Sequence, residues 1–443
     1  MNSTTNIFYW DNQYSAQLHA MLEPLTLQRQ LLLWTSSVDF DTLLPSQWSF
    51  WGYDYSSQRG VGNYYSTNDV TLLSLLDAYL RVTGDFAFLN LTYSIGPFPN
   101  GTVLEATVFD TALALATHWK APVYNASGFL ADYGLAPNLL ECVPTYIHRV
   151  ASLNAGNAFM SNIVAQYAEA FGNGPLAASL RADADAIAAA VLSRLYVGSS
   201  EGGSGGGGFF RAEFPNGKSA MVRHVMDYVY VTAWLGLGGG GGGGGGGRSN
   251  INATVANEMA AFVQRELIVP HWMRALSLND TAAPLSNRSD HGPSGAYIGW
   301  PALTVRAFGL RGTVAAFASA REFLDDTLFS ATLGPYGQAI SIRPPGDPYK
   351  PFEVTLYNCL CAAAFADTVM QTLFGWAPPL VVPGAQPPLP EAALLSAKVP
   401  RGFTGTLLGV HFLGAVWDVV SDESGLALRP HAAEGRAKSR NAH

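Results

Sequence analysis

Cysteine is scarce in this chain of 443 residues, and the three present, Cys142, Cys359 and Cys361, do not make a disulfide framework. The Cys359/Cys361 pair lies in an apolar helical pattern with no further metal ligands beside it, so buried thiols are expected and no metal is implied. Charge is scarce too: 13% of residues are charged and the formal net charge is −8. Phosphate neutralisation needs clustered Lys and Arg, so no nucleic-acid partner is expected. The one basic cluster, Arg429 to Arg440, reads as a solvated end. No apolar run reaches the length of a membrane span. Two glycine-rich stretches, Gly202 to Gly208 and Gly238 to Gly247, lack the Lys-Ser/Thr of a phosphate loop and read as flexible linkers.

The opening residues MNSTTNIFYWDNQ contain neither a basic n-region nor an apolar h-region, so no signal peptide is read there. Seven Asn-x-Ser/Thr sequons, at Asn2, Asn90, Asn100, Asn125, Asn252, Asn279 and Asn287, nevertheless point to the secretory pathway. A lumenal chain without a leader implies a truncated start.

What the sequence does have is apolar residues, 48% of the total, in helical periods. Tyr146, Val150, Leu153, Asn157, Met160, Val164 and Tyr167 fall on one helix face. Gly172 to Pro175 interrupt it, and Leu180, Ala184, Ile187, Val191 and Leu195 resume the period, which predicts a helical hairpin. Further hairpin halves are expected near 15–34, 69–82, 104–119, 222–234, 253–267, 302–320 and 355–373, about eleven helices in all, with only minor β-hairpins in the loops. An even set of hairpins suggests an all-α fold, a closed (α/α)6 toroid of six hairpins over residues 1–376; an open α-solenoid has the same period. Residues 377–443 read as a proline-rich, irregular tail.

Function is carried by the loops. Trp272 to Pro301 gathers Asp290, His291, Tyr297 and Trp300 without a regular period, and long loops rich in aromatics are ordered and functional more often than disordered. Similar mixtures occur in FYWDN (Phe8 to Asn12), in QWSFWGYDYSS around Trp51, and in FLADYG (Phe129 to Gly134). Acids and planar cations hydrogen-bond sugar hydroxyls, and pyranose C–H faces bury against Trp and Tyr, so a carbohydrate partner is expected.

Cleaving a glycosidic bond takes two carboxyls, an acid for the leaving oxygen and a base for water, roughly 6.5–9.5 Å apart in the inverting geometry. Here the order of motifs resembles the α/α-toroid glycosidases of clan G, especially glycoside hydrolase family 63 and its mannosylglycerate-hydrolase-like relatives, over most of residues 7–376. Tyr9-Trp10-Asp11 is similar to the aromatic-Trp-Asp segment that opens the family's sugar site. GFLADYG followed by VPTYIHRVASLNA stands where the family carries its general acid, which implies that role for Asp132. AYIGWPALTVRAFGL resembles the segment shaping the sugar subsite, which makes Tyr297 and Trp300 binding candidates. The base falls in GPYGQAISIRPPGDPYKPFEVTLYN, where Glu353 is the candidate, Gln338 a further sugar contact, and Ile340 the occupant if GQAIS aligns with the family's Glu.

The implied activity is an inverting hydrolase of a small α-linked glucoside or mannoside, with Asp132 as acid in aromatic surroundings from Phe129 and Tyr133, Glu353 as base, and no cofactor. Its rival is a carbohydrate-binding pseudoenzyme that has lost its base; a protein-binding helical scaffold fits the polar-aromatic loops less well. Each residue also has a structural alternative: Asp132 and Asp11 as helix caps, Glu353 as a first-turn acid, and Asp227 as the buried partner of Arg223 or His224. Trp34, Trp48 and Trp234 are expected in the core, whereas Trp51, beside Tyr53, Asp54 and Tyr55, is expected at the sugar.

Overall fold

The computed structural model describes residues 6–37, 52–54, 59–61, 66–96, 101–135, 143–201, 206–236, 250–286, 288–332, 339–342, 352–354, 363–382, 390–394 and 397–431. Among these are eleven α-helices: α1 Ala16–Leu22, α2 Pro24–Ser37, α3 Thr67–Thr83, α4 Val108–Thr117, α5 Ala151–Ala170, α6 Gly174–Ala190, α7 Val225–Gly236, α8 Ala253–Phe262, α9 Gly299–Gly309, α10 Val314–Thr332 and α11 Ala363–Thr368. Helices α6, α8 and α11 each run on into a π turn. None of the described helices is long and apolar enough to cross a membrane.

Consecutive helices pair as hairpins, α1 with α2, α3 with α4, α5 with α6, α7 with α8 and α9 with α10. The odd-numbered helices also contact one another in cyclic order: α1 with α3, α3 with α5, α5 with α7, α7 with α9, α9 with α11, and α11 back with α1. Small residues let the ring close up. Gly156 in α5 is an example, because a Cβ there would stand 3.2 Å from the Trp234 ring of α7. Helix α5 is buried along most of its length, from Ala151 to Ala168, and is wedged among α3, α4, α6 and α7.

Local chemistry explains most of the ends. Thr107 caps α4 reciprocally with Asp110, and Asn173 and Asn252 cap α6 and α8 through their side-chain oxygens. Gly84 ends α3 in the left-handed conformation, φ +71°, that glycine adopts without steric cost.

Several expectations are corrected. The period near 15–34 is two helices, broken at Glu23 before Pro24, because the residue preceding proline is driven out of the helical region. Tyr146 and Val150 precede α5 and are not on it. The segments at 104–119 and 222–234 each begin in a strand, Leu104–Thr107 and Ser219–Val222. Gly207 and Gly208 are not linker residues: Gly208 N–H donates to Val197 O, and a Cβ on Gly208 would meet Glu258 O at 2.0 Å. Gly202, Gly203, Gly205, the second run from Gly238 to Gly247, Cys142, Cys359, Cys361 and Trp48 lie outside the described residues.

The stretch read as an irregular tail carries a three-stranded antiparallel sheet, Gly405–Phe412, Ala415–Asp422 and Gly425–Pro430. It docks on α1 and α3, and Leu413 N–H donates to Val82 O. Sequons at Asn90, Asn125, Asn252 and Asn279 are exposed.

Candidate active site

Three acids stand at the N-terminal ends of ring helices. Asp11 lies in the 3-10 turn Trp10–Ser15 that leads into α1, Asp69 in the first turn of α3, and Asp227 in the first turn of α7. Trp300 begins α9 and Ser152 begins α5. Parallel helix starts present unsatisfied N–H groups, which hold carboxylates. One such contact is direct: Ser152 N–H donates to Asp227 Oδ1 at 2.9 Å.

Four of the expected binding residues form one aromatic cluster with Asp11. Trp10 stacks on Tyr297 with centroids 5.3 Å apart and on His291 at 5.7 Å, and Trp300 is edge-on to His291 at 6.0 Å. The Tyr297 hydroxyl donates to Asp11 Oδ1. Asp290 is buried beside them and held by Arg288 through a forked contact. Tyr297 and Trp300 are fully buried, so the loop from Trp272 to Pro301 has its aromatics turned inward. Tyr9 is also placed by the structure in the core, 4.7 Å from Trp34, and Trp34 and Trp234 are buried as expected.

Asp132 stands in a second network reaching the same helix ends. Asn154 clamps the backbone of Ala131, its Oδ1 accepting from Ala131 N–H at 2.7 Å and its Nδ2 donating to Ala131 O at 3.2 Å. Asp132 Oδ1 accepts from Gly134 N–H at 2.9 Å and faces His148 Nδ1 at 2.8 Å, and Arg149 Nη2 is 3.8 Å from Oδ2. The cap of α5 is Val150, so Asp132 does not cap that helix. Of the two aromatic residues expected around it, Tyr133 is buried and Phe129 exposed, and the carboxyl itself faces two basic side chains, His148 and Arg149.

Around α5 the two networks meet. Ser152, whose N–H holds Asp227, has its hydroxyl on Tyr146; Tyr146 packs against His224, and His224 against His291 and Trp300. Asp227 contacts neither Arg223 nor His224, the partners suggested by sequence. Arg223 is occupied by Glu266.

Of the other expected residues, Glu353 lies in the strand Phe352–Val354, whose backbone pairs it with Ser341, while Ile340 pairs with Ala296 of the strand bearing Tyr297. Ile340 is fully buried. Trp51 and Gln338 fall outside the described residues. Sequence reasoning missed Tyr14, Tyr146, His224 and Tyr230, all on helical faces or beside them, where an apolar period conceals polar atoms.

Burial sets the electrostatics. It pushes the Asp11 carboxyl up to about 7, against the hydrogen bond from Tyr297, and Asp227 up to about 7, against the N–H of Ser152. Asp367, in α11, is likewise pushed up to about 7, with Arg306 opposing. Burial and the neighbouring His291 hold His224 well below the usual imidazole range, so it is neutral. Burial raises Asp290, but His291 and Arg288 outweigh it and keep it below the usual carboxylate range.

A stability prediction follows from the three raised acids. Each binds a proton in the folded chain that the unfolded chain releases above its ordinary value near 3.8. Their contribution is therefore present at low pH and declines as pH rises through about 7. His118, raised by Asp69 against the lowering effect of burial, declines in the same direction, whereas neutral His224 acts below about 6.5 with the opposite sign. Between pH 6.5 and 8 the three acids together are expected to cost roughly 2 to 3 kcal/mol. Melting temperature measured across that window should fall, and Asp227→Asn should flatten the fall; a rising profile would refute the assignment.

No family model matches the chain, and no curated protein matches it. Solved structures do. The fold is similar to a Klebsiella oxytoca rhamnosidase with rhamnose bound, with a TM-score of 0.52 at 10% identity over 84% of this chain and 58% of that one. It is similar to a family GH78 rhamnosidase of Bacillus sp. GL1, TM-score 0.54 at 13% identity over 83% and 32%. It is similar to the GH63 mannosylglycerate hydrolase of Thermus thermophilus in complex with glucose, TM-score 0.53 at 10% identity over 83% and 94%. The chain thus spans just over half and about a third of the two rhamnosidases, and nearly all of the hydrolase. The helical fold is one that glycoside hydrolases use; at such identities the likeness extends to the fold alone.

Proposed function

We propose that the chain is a glycoside hydrolase on an (α/α)6 toroid whose inner layer is the ring of odd-numbered helices, with residues 1–376 as its catalytic domain. The observation that carries this reading is the convergence of Asp11, Asp227 and the Trp10/His291/Tyr297/Trp300 cluster on the N-terminal ends of that ring, with Asp132 tied to it through Asn154. A sugar needs this combination of flat apolar faces and acceptors.

In the proposed reaction an α-linked glucoside or mannoside is cleaved with inversion. Asp132 gives its proton to the leaving oxygen as the glycosidic bond breaks. Water attacks the anomeric carbon from the opposite face, and Glu353 takes the water's proton. Asp11 and Trp10, only partly buried, meet the sugar with Trp51 and Gln338, and the buried Tyr297, His291, Trp300, Asp290 and Tyr9 hold them in place. Because one neighbour carries rhamnose, α-rhamnosides belong beside α-glucosides and α-mannosides among the substrates tested.

The second reading, a binding protein without turnover, is favoured by Ile340, an apolar residue buried in the strand next to Glu353. Incubation with the α-glycoside panel separates the two. The hydrolase releases a reducing sugar, whereas saturable binding of a panel member without release would sink the enzymatic reading.

A further inference from the structure

A cavity of about 90 Å³ lies among the ring helices, beside the aromatic cluster. It is lined by Ser74 and Asp77 in α3, Trp234 near the end of α7, Leu303, Arg306 and Ala307 in α9, and Trp376 after α11. Tyr14 and Tyr230, hydroxyl to hydroxyl at 3.2 Å, stand at its border with the aromatic cluster.

The cavity has a cation and no hydrogen-bonded counter-ion. Arg306 of α9 reaches it, and among the described residues its guanidinium makes no hydrogen bond, with Nε fully buried. Of the two acids that line the same space, Asp367 attracts Arg306 through space, but both make their hydrogen bonds elsewhere. Asp367 accepts from Leu18 N–H at 2.9 Å and from Gln371 Nε2 at 2.5 Å. Asp77 accepts from Arg81 Nε at 2.7 Å and from the Tyr167 hydroxyl at 3.3 Å. A guanidinium has five donors and no acceptor, and leaving them unmet in a closed space is costly. Its planar fork matches a carboxylate.

From this geometry we infer that the cavity is a binding site for a small monocarboxylate, seated on Arg306 with its carbon chain between Trp234 and Trp376. Size sets the class. An apolar cavity of about 150 Å³ admits a six-carbon ring, so the smaller space here takes a chain of about two to four carbons. The amides of Gln17 and Gln371 can meet a hydroxyl on that chain.

Isothermal titration of the full-length protein with acetate, lactate and inorganic phosphate tests this. Saturable binding of acetate or lactate, weakened at least tenfold in Arg306→Met, is expected, with phosphate failing to bind. Should that variant not fold, Ala233→Leu, which fills the cavity without altering charge, must abolish the binding. Silence from both carboxylates, unchanged binding in either variant, or preferential binding of phosphate would overturn the proposal. The readout is independent of glycoside turnover.

Discussion

Asp132→Asn is expected to lower kcat by about 10² to 10⁴-fold with little change in KM, the range a positioned general acid supplies. The substitution is nearly isosteric. The replacing amide keeps an oxygen for Gly134 N–H and still packs beside His148, so the loop from Ser127 to Gly134 should hold its shape. What disappears is the carboxyl that is to give the proton; its Oδ2 is buried and accepts no hydrogen bond from any described residue. Steady-state kinetics beside a melting curve separate chemistry from folding. Asp227→Asn is the essential comparison, because among the described residues Asp227 Oδ2 is also buried without a hydrogen-bond partner, and burial pushes its carboxyl up to about 7. Full turnover in Asp132→Asn together with its loss in Asp227→Asn would transfer the acid role.

Arg81→Met is expected to destabilise the fold by about 3 to 5 kcal/mol, the cost of breaking a buried ion pair from one side. Arg81 and Asp77 are 1% and 3% exposed, one turn apart on α3, at the interior of the ring. Besides Asp77, Arg81 donates to Gln166 Oε1 at 3.2 Å and Pro378 O at 3.5 Å, which ties α3 to α5 and to the segment after α11. Burial raises the Asp77 carboxyl although Arg81 and Tyr167 oppose it, and desolvation of a buried pair commonly offsets its attraction. It follows that Asp77→Leu combined with Arg81→Met should recover most of the loss. Denaturant midpoints of the two single variants and the double variant decide this; a double variant as unstable as the sum of the singles would show the pair to be a net source of stability.

Much of the helical layer was legible because its signal is local. In α3, apolar residues at helical spacing are followed by Gly84, and in α5 and α6 the break at Gly172 to Pro175 stands between two clear periods. Ring closure was not legible, since it depends on contacts between α11 and α1, nearly the whole chain apart. The C-terminal sheet was hidden for a different reason. A bulge between Leu407 and Val410, with Gly409 at φ +73°, interrupts the two-residue alternation. Its hairpin then turns at Leu413-Gly414, both at positive φ, where the usual sequence sign is Asn-Gly or Asp-Gly.

At the candidate site, residues announced by their loops were found together: Trp10, Asp11, His291, Tyr297 and Trp300. Residues on helices were harder to read. Asp227 and His224 sit in an apolar run, VRHVMDYVYV, and acquire their character only when Ser152 and His291 arrive from α5 and the long loop. Burial creates their electrostatics, and burial is a property of the assembled ring.

The central claim is tested most directly by the anomer first formed from an α-glycoside that the chain cleaves, followed by proton NMR before mutarotation, with Asp132→Asn as control. The account predicts the β-anomer at the outset and none in the control. First release of the α-anomer, or unchanged release in the control, would contradict it.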